Sequence, residues 1–167
     1  MSDKIIFLDN DGVVCLAMQW GTRAKKIKRW NLENPDVPAP ASVKMDNFDI
    51  KAVKILNTII EETGADIVVS SDWKLYCSLE ELKQMFTDYG VYKQPIDCTP
   101  NHYSSFKSPE IRVGEINEWL EKNPHVVKWV AIDDMDLSSL KNFVHTKKMN
   151  EGIKQSGIKE KIVKMLK

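Results

Sequence analysis

Six side chains in this 167-residue chain stand in three pairs whose types could do chemistry together: Asp9 with Asp11, Ser70 with Ser71, and Asp133 with Asp134. Each pair follows an apolar run: Ile5 to Leu8, Ile67 to Val69, and Val126 to Ile132. Two carboxylates at the tip of a buried strand are costly unless a cation sits beside them. Gly12, directly after Asp11, lets the chain turn sharply there. Aspartates without histidine or cysteine form a hard-oxygen site, suited to Mg²⁺ rather than zinc. Neighbouring hydroxyls and a cation suit the oxygens of a phosphate group. A solvated acidic turn accounts for any one pair alone. The three pairs acquire meaning if one sheet edge carries them all.

The elements that would place them there can be read from periodicity. Ile5 to Leu8 is too short for a helix and fits a strand buried on both faces, as in a parallel sheet. Val53, Leu56, Ile59 and Ile60 recur at helical spacing, and Gly64 stands where a C-terminal cap belongs. Residues 65–70 form the next strand, which completes a right-handed βαβ unit. A helix is expected from about Ser78 to Tyr89, and a short strand within Val91 to Cys98. Ser108-Pro109-Glu110 is a strong helix start, and that helix stops before Pro124. After the strand ending at Ile132, Phe143 to Thr146 reads as an edge strand. Ile158, Ile162, Val163 and Leu166 mark a closing amphipathic helix. Three parallel strands therefore end in the three polar pairs, and ligands of open α/β sheets bind beyond such ends.

The string Asp9-Asn10-Asp11-Gly12-Val13 resembles the first signature of the haloacid dehalogenase-like (HAD) phosphohydrolases. Ser70 and the Asp133-Asp134 pair resemble the second and fourth. Ser-Ser-x-Trp-Lys, Arg-x-x-Glu-Ile-x-x-Trp-Leu and Ile-Asp-Asp are similar to the small HAD domains grouped with RNA-repair proteins. The resemblance implies a single three-layer α/β domain, Rossmann-like, with a mostly parallel central sheet and at most a small lid. It implies a Mg²⁺-dependent phosphomonoester hydrolase in which Asp9 is the nucleophile that becomes an aspartyl-phosphate. Asp11 would be the general acid and then base, with its backbone carbonyl on the metal. Ser70 would bond the phosphoryl oxygens, and Asp133 and Asp134 would hold Mg²⁺ with Asp9. The third-motif cation is either Arg112 or Lys107, with Arg112 favoured. Asn10, Gly12, Ser71 and Lys74 are candidate substrate contacts. A phosphotransferase of the same fold, and a catalytically silent binding module, are the alternatives.

Composition sets the remaining bounds. Lys+Arg and Asp+Glu both number 24, so no global field selects nucleic acid or an anionic membrane. Three cysteines (Cys15, Cys77, Cys98) show no metal spacing and read as reduced thiols. No apolar run reaches membrane-spanning length, and a cytoplasmic protein without an obligate protein partner is expected. The substrate would be a nucleotide, a nucleic-acid end or a small metabolite. His102 reads as a solvent-facing loop histidine. Residues 15–47 show no helical or strand period and read as an irregular flap over the first strand tip. Arg23, Lys25, Lys26, Lys28 and Arg29 crowd there between Trp20 and Trp30. That cluster is either a solvated flap or a lid whose cations and rings meet an anionic, aromatic substrate.

Overall fold

The computed structural model describes residues 1–102 and 108–167. Its centre is a five-stranded, all-parallel sheet in the order β3-β2-β1-β4-β5. The strands are β1 (Lys4–Leu8), β2 (Asp66–Val69), β3 (Asp97–Cys98), β4 (Lys128–Asp133) and β5 (Phe143–His145). The first strand lies in the middle because its side chains are apolar on both faces: Ile5 to Leu8 are all buried. The expected strand within residues 91–98 shrinks to two residues, and the expected edge strand near residue 143 does close the sheet.

Helices cover both faces. One face packs Ile6 and Leu8 against α3 (Ile50–Thr63), α4 (Leu79–Asp88) and α6 (Ile158–Leu166), through Leu56, Ile59, Leu82, Phe86, Ile162 and Leu166. The other face is covered by α5 (Pro109–Lys122), whose Ile116 and Trp119 meet Ile5 and Phe7. The Phe7 and Trp119 rings pack edge to face at 5.4 Å. Local signals fix these helices. Asp49 accepts the Ala52 N–H at the start of α3, and Gly64 closes it in the left-handed region. Ser78 and Glu81 form a capping box on α4. Ser108 caps α5 and Pro109 opens it.

Residues 15–47 are not irregular. They contain a 12-residue helix, α1 (Thr22–Glu33), and a short one, α2 (Ala41–Lys44), packed on each other. No residue of α1 is buried, so it carries no apolar period, and its N-cap is Gly21, which has no side chain to cap with. The missing cap comes from a distance: Asp46 Oδ1 accepts the backbone N–H groups of Gly21 and Arg23 at 3.1 and 3.0 Å. Lys26 fastens the helix from beneath, donating to the carbonyls of Ser42 and Met45 at 2.6 and 2.7 Å and to Tyr89 Oη at 3.2 Å. The Trp30 indole N–H donates to the Val37 carbonyl. The helix is held by hydrogen bonds rather than by a core.

Lys26→Met should therefore lower stability by about 1–3 kcal/mol, because charge-assisted bonds to two carbonyls are lost. Lys25→Met, on the open side of the same helix, should leave the urea midpoint unchanged. Unfolding in urea, with the slope checked for constancy, measures both.

Candidate active site

Parallel register brings the polar pairs to one edge. Leu8 is paired with Val69 on one side and Ile132 on the other, so Asp9, Ser70 and Asp133 come next in line, abreast. Backbone bonds hold that level: Asp9 N–H donates to the Ile132 carbonyl, and Ser70 N–H to the Leu8 carbonyl. Beyond Asp9 the chain turns back tightly, with the Asn10 carbonyl accepting from the N–H groups of Val13, Val14 and Cys15. Gly12 makes the turn possible at φ +74°. A Cβ there would lie 2.7 Å from the Asp134 carboxylate, so glycine is needed for space as well as for conformation.

Carboxylate oxygens of Asp9, Asp133 and Asp134 lie within 4.8 Å of one another. Asp9 and Asp133 are buried, 2% and 1% exposed. One guanidinium faces them. Arg112, in the first turn of α5 and 2% exposed, donates to Asp133 Oδ2 at 2.8 Å and stands 3.4 Å from Asp9 Oδ1. It also donates to the Ser70 carbonyl and to Asp72 Oδ1. Burial alone would lower the Arg112 pKa, but Asp9, Asp133, Asp72 and Glu115 hold it above its ordinary value. Among the described residues this one cation stands against three carboxylates and does not balance them. Burial first, then the charge of Asp133, holds the Asp9 carboxyl well above the ordinary carboxylate range. Burial pushes Asp133 up to about 6, against the opposing pull of Arg112.

Among the described residues, four buried side-chain atoms here have no hydrogen-bond partner: Asp9 Oδ2, Ser70 Oγ, and both amide atoms of Asn10. Orphaned polar atoms beside an under-neutralised carboxylate trio fit a hard divalent cation and an oxygen-rich ligand.

The other expected site residues are placed variously. Asp11 is not part of the carboxylate trio; its Oδ2 accepts the Trp73 indole N–H at 3.0 Å. Ser71 Oγ accepts the Trp73 N–H and so caps the short turn over Asp72–Leu75. Lys74, read from sequence as a substrate contact, is instead spent internally. Its ammonium donates to Thr99 Oγ1, the Pro100 carbonyl and Glu115 Oε2, and the Lys74–Glu115 side chains are each only 6% exposed. Glu115 also accepts the His102 N–H, and the His102 ring, exposed as the sequence suggests, lies against Glu118. Lys107 lies outside the described residues. Sequence reading missed Asp72, Trp73 and Glu115, although the first two directly follow Ser71. It missed Thr146 too, which donates to the Gly12 carbonyl and braces the turn from β5.

The family model described as the HAD domain in Swiss Army Knife RNA repair proteins matches residues 5–156. No curated protein and no solved structure matches the chain at a significant level.

Two outcomes follow from the geometry. Gly12→Ala should push the Asp134 carboxylate aside and weaken Mg²⁺ binding about 10–100-fold, read by isothermal titration. Asp133, at about 6 against an ordinary 3.8, is protonated more in the folded chain. Its contribution to stability is present below 3.8 and lost as pH rises through about 6. Mg²⁺ competes with those protons, so the rise in Tm that it produces should grow between about pH 5 and about pH 7.5. A rise that shrank with pH would contradict this charge balance.

Proposed function

Because the chain belongs to the HAD domains of Swiss Army Knife RNA repair proteins, we propose that it is a Mg²⁺-dependent phosphomonoester hydrolase acting on a nucleotide or a nucleic-acid end. One observation carries the reading: the unpartnered Asp9 Oδ2 and Ser70 Oγ lie abreast on the edge that gathers Asp9, Asp133 and Asp134.

Asp9 attacks phosphorus through a carboxylate oxygen, and the ester P–O bond breaks. Asp11 gives its proton to the leaving oxygen, with its carboxyl oriented by the Trp73 indole N–H. Water then attacks the acyl phosphate, Asp11 takes a proton from it, and the bond to Asp9 Oδ breaks to release inorganic phosphate. Ser70 Oγ donates to a phosphoryl oxygen. Arg112 offsets charge on Asp9 and Asp133, and through Asp72 and the Ser70 carbonyl fixes the second loop against the first. A protonated Asp9 would be no nucleophile; Asp9, Asp133 and Asp134 would hold Mg²⁺, which when bound would supply the positive charge that keeps Asp9 ionised and screens the phosphate. Lys74 and Glu115 act as a brace between the second loop and α5, and do not touch the substrate.

Release of inorganic phosphate from p-nitrophenyl phosphate and from a 3′-phosphorylated oligoribonucleotide tests the reading. EDTA should abolish it and added Mg²⁺ restore it. Asp9→Asn should lower turnover at least about a thousand-fold with folding unchanged. Full turnover by that variant would rule out covalent catalysis through Asp9.

A further inference from the structure

The cations of α1 divide by face. Lys26 points inward, to Ser42, Met45 and Tyr89, and Ile27 and Trp30 are half-buried against the body. Lys25, Lys28, Arg29 and Leu32 are exposed, and their spacing of three, four and seven puts them on one outward stripe. Leu32 is 77% exposed. Arg29 pairs with Glu33, one turn on, with its side chain 80% exposed. The helix holds five cations against one carboxylate in a chain whose formal net charge is zero. This concentration is local, and it lies on an element that contributes nothing buried to the core.

We infer that the Lys25–Lys28–Arg29 stripe of α1 is a docking surface for the phosphate backbone of a nucleic-acid strand. The inference deepens the hydrolase reading and rests on it only in taking the docked strand as substrate. Three observations favour a strand over other polyanionic partners. The cations recur within about one helical turn, ~5.4 Å, so that successive charges face one side. Trp20, 45% exposed, and Met18, 63% exposed, sit one turn before the helix and offer apolar surface on which a base can rest. The more apolar face of the helix, with Ile27 and Trp30, is turned to the protein, whereas a membrane-surface helix needs that face free. Proximity to the chemistry comes through Cys15. Cys15 bridges to Asp11 across the turn, its carbonyl accepts the Gly12 N–H, and seven residues further on the chain enters α1 at Thr22. The stripe is therefore carried by a helix rooted beside the Asp11 turn.

The test is fluorescence anisotropy on the Asp9→Asn chain, so that the probe stays phosphorylated. The probes are labelled, 3′-phosphorylated RNA and DNA strands of about 12 nucleotides. Three phosphate contacts predict a slope of log affinity against log salt of about −2. Adding Lys25→Ala, Lys28→Ala and Arg29→Ala should weaken binding about tenfold or more at low salt and flatten that slope by about 2. The charge-preserving set Lys25→Arg, Lys28→Arg and Arg29→Lys should retain binding. RNA and DNA bound equally would mark the stripe as a pure backbone contact; RNA preferred would add the 2′-hydroxyl to it. Unchanged strand binding by the alanine set would overturn the inference. So would tighter binding to phosphatidylserine vesicles than to either strand. In the otherwise wild-type chain the alanine set should still hydrolyse p-nitrophenyl phosphate, which carries no strand. Loss of that activity in step with strand binding would mean a structural defect and would also overturn it. If the wild-type chain fails to hydrolyse the aryl phosphate while Asp9→Asn binds strands, the hydrolase reading falls and the docking surface stands.

Discussion

The structure depends on a deficit of positive charge. Asp9, Asp133 and Asp134 bring their oxygens within 4.8 Å of one another in a buried place, and among the described residues one guanidinium, Arg112, answers them. In a low-dielectric setting such a trio is tolerated only by taking up protons or a cation, which is why both buried members are held above their ordinary range. A domain built for stability alone would not assemble it. The parallel register of β1 with β2 and β4 forces these groups abreast, and Gly12 lets Asp134 close in.

Helix α5 ties that deficit to the rest of the fold. Its apolar residues Ile116 and Trp119 seat it on the sheet. From that seat Arg112 reaches the carboxylates, and Glu115, three residues on, reaches Lys74. Through Asp72 and the Ser70 carbonyl Arg112 also holds the loop after β2, and the buried Lys74–Glu115 pair ties that loop to the same helix. Removing one partner of such a pair would strand a buried charge, a cost well above that of losing the contact itself. The clamp also explains why α5 begins with a strong cap. Slippage of its first turn would carry Arg112 away from Asp9 and Asp133.

Much of this was legible in sequence wherever the cause is local. The apolar runs before Asp9, Ser70 and Asp133 named the strands, and their shared ending in polar pairs named the edge. Ser108-Pro109-Glu110 placed Arg112 in a first turn, where the structure finds it against the trio. What stayed hidden depends on partners far along the chain. The cap of α1 is Asp46, well beyond the helix it starts, so residues 15–47 read as irregular. Lys74 beside Ser71 looked like a cation awaiting phosphate, because Glu115 becomes its neighbour only after α5 docks. Strand β3 has two residues and no run to detect.

The contrast between α5 and α1 separates two kinds of constraint. Residues of α5 serve the core and the chemistry at once, so a change at Arg112 or Glu115 disturbs both. Helix α1 has no fully buried residue and is fastened by Asp46, Thr22 and Lys26 through hydrogen bonds at its start and base. With few buried apolar contacts it belongs to the less stable parts of the fold, able to adjust while the sheet edge holds its geometry. Its outward residues are bound by neither packing nor catalysis. An element of that kind can vary what the protein receives without altering what the carboxylates do.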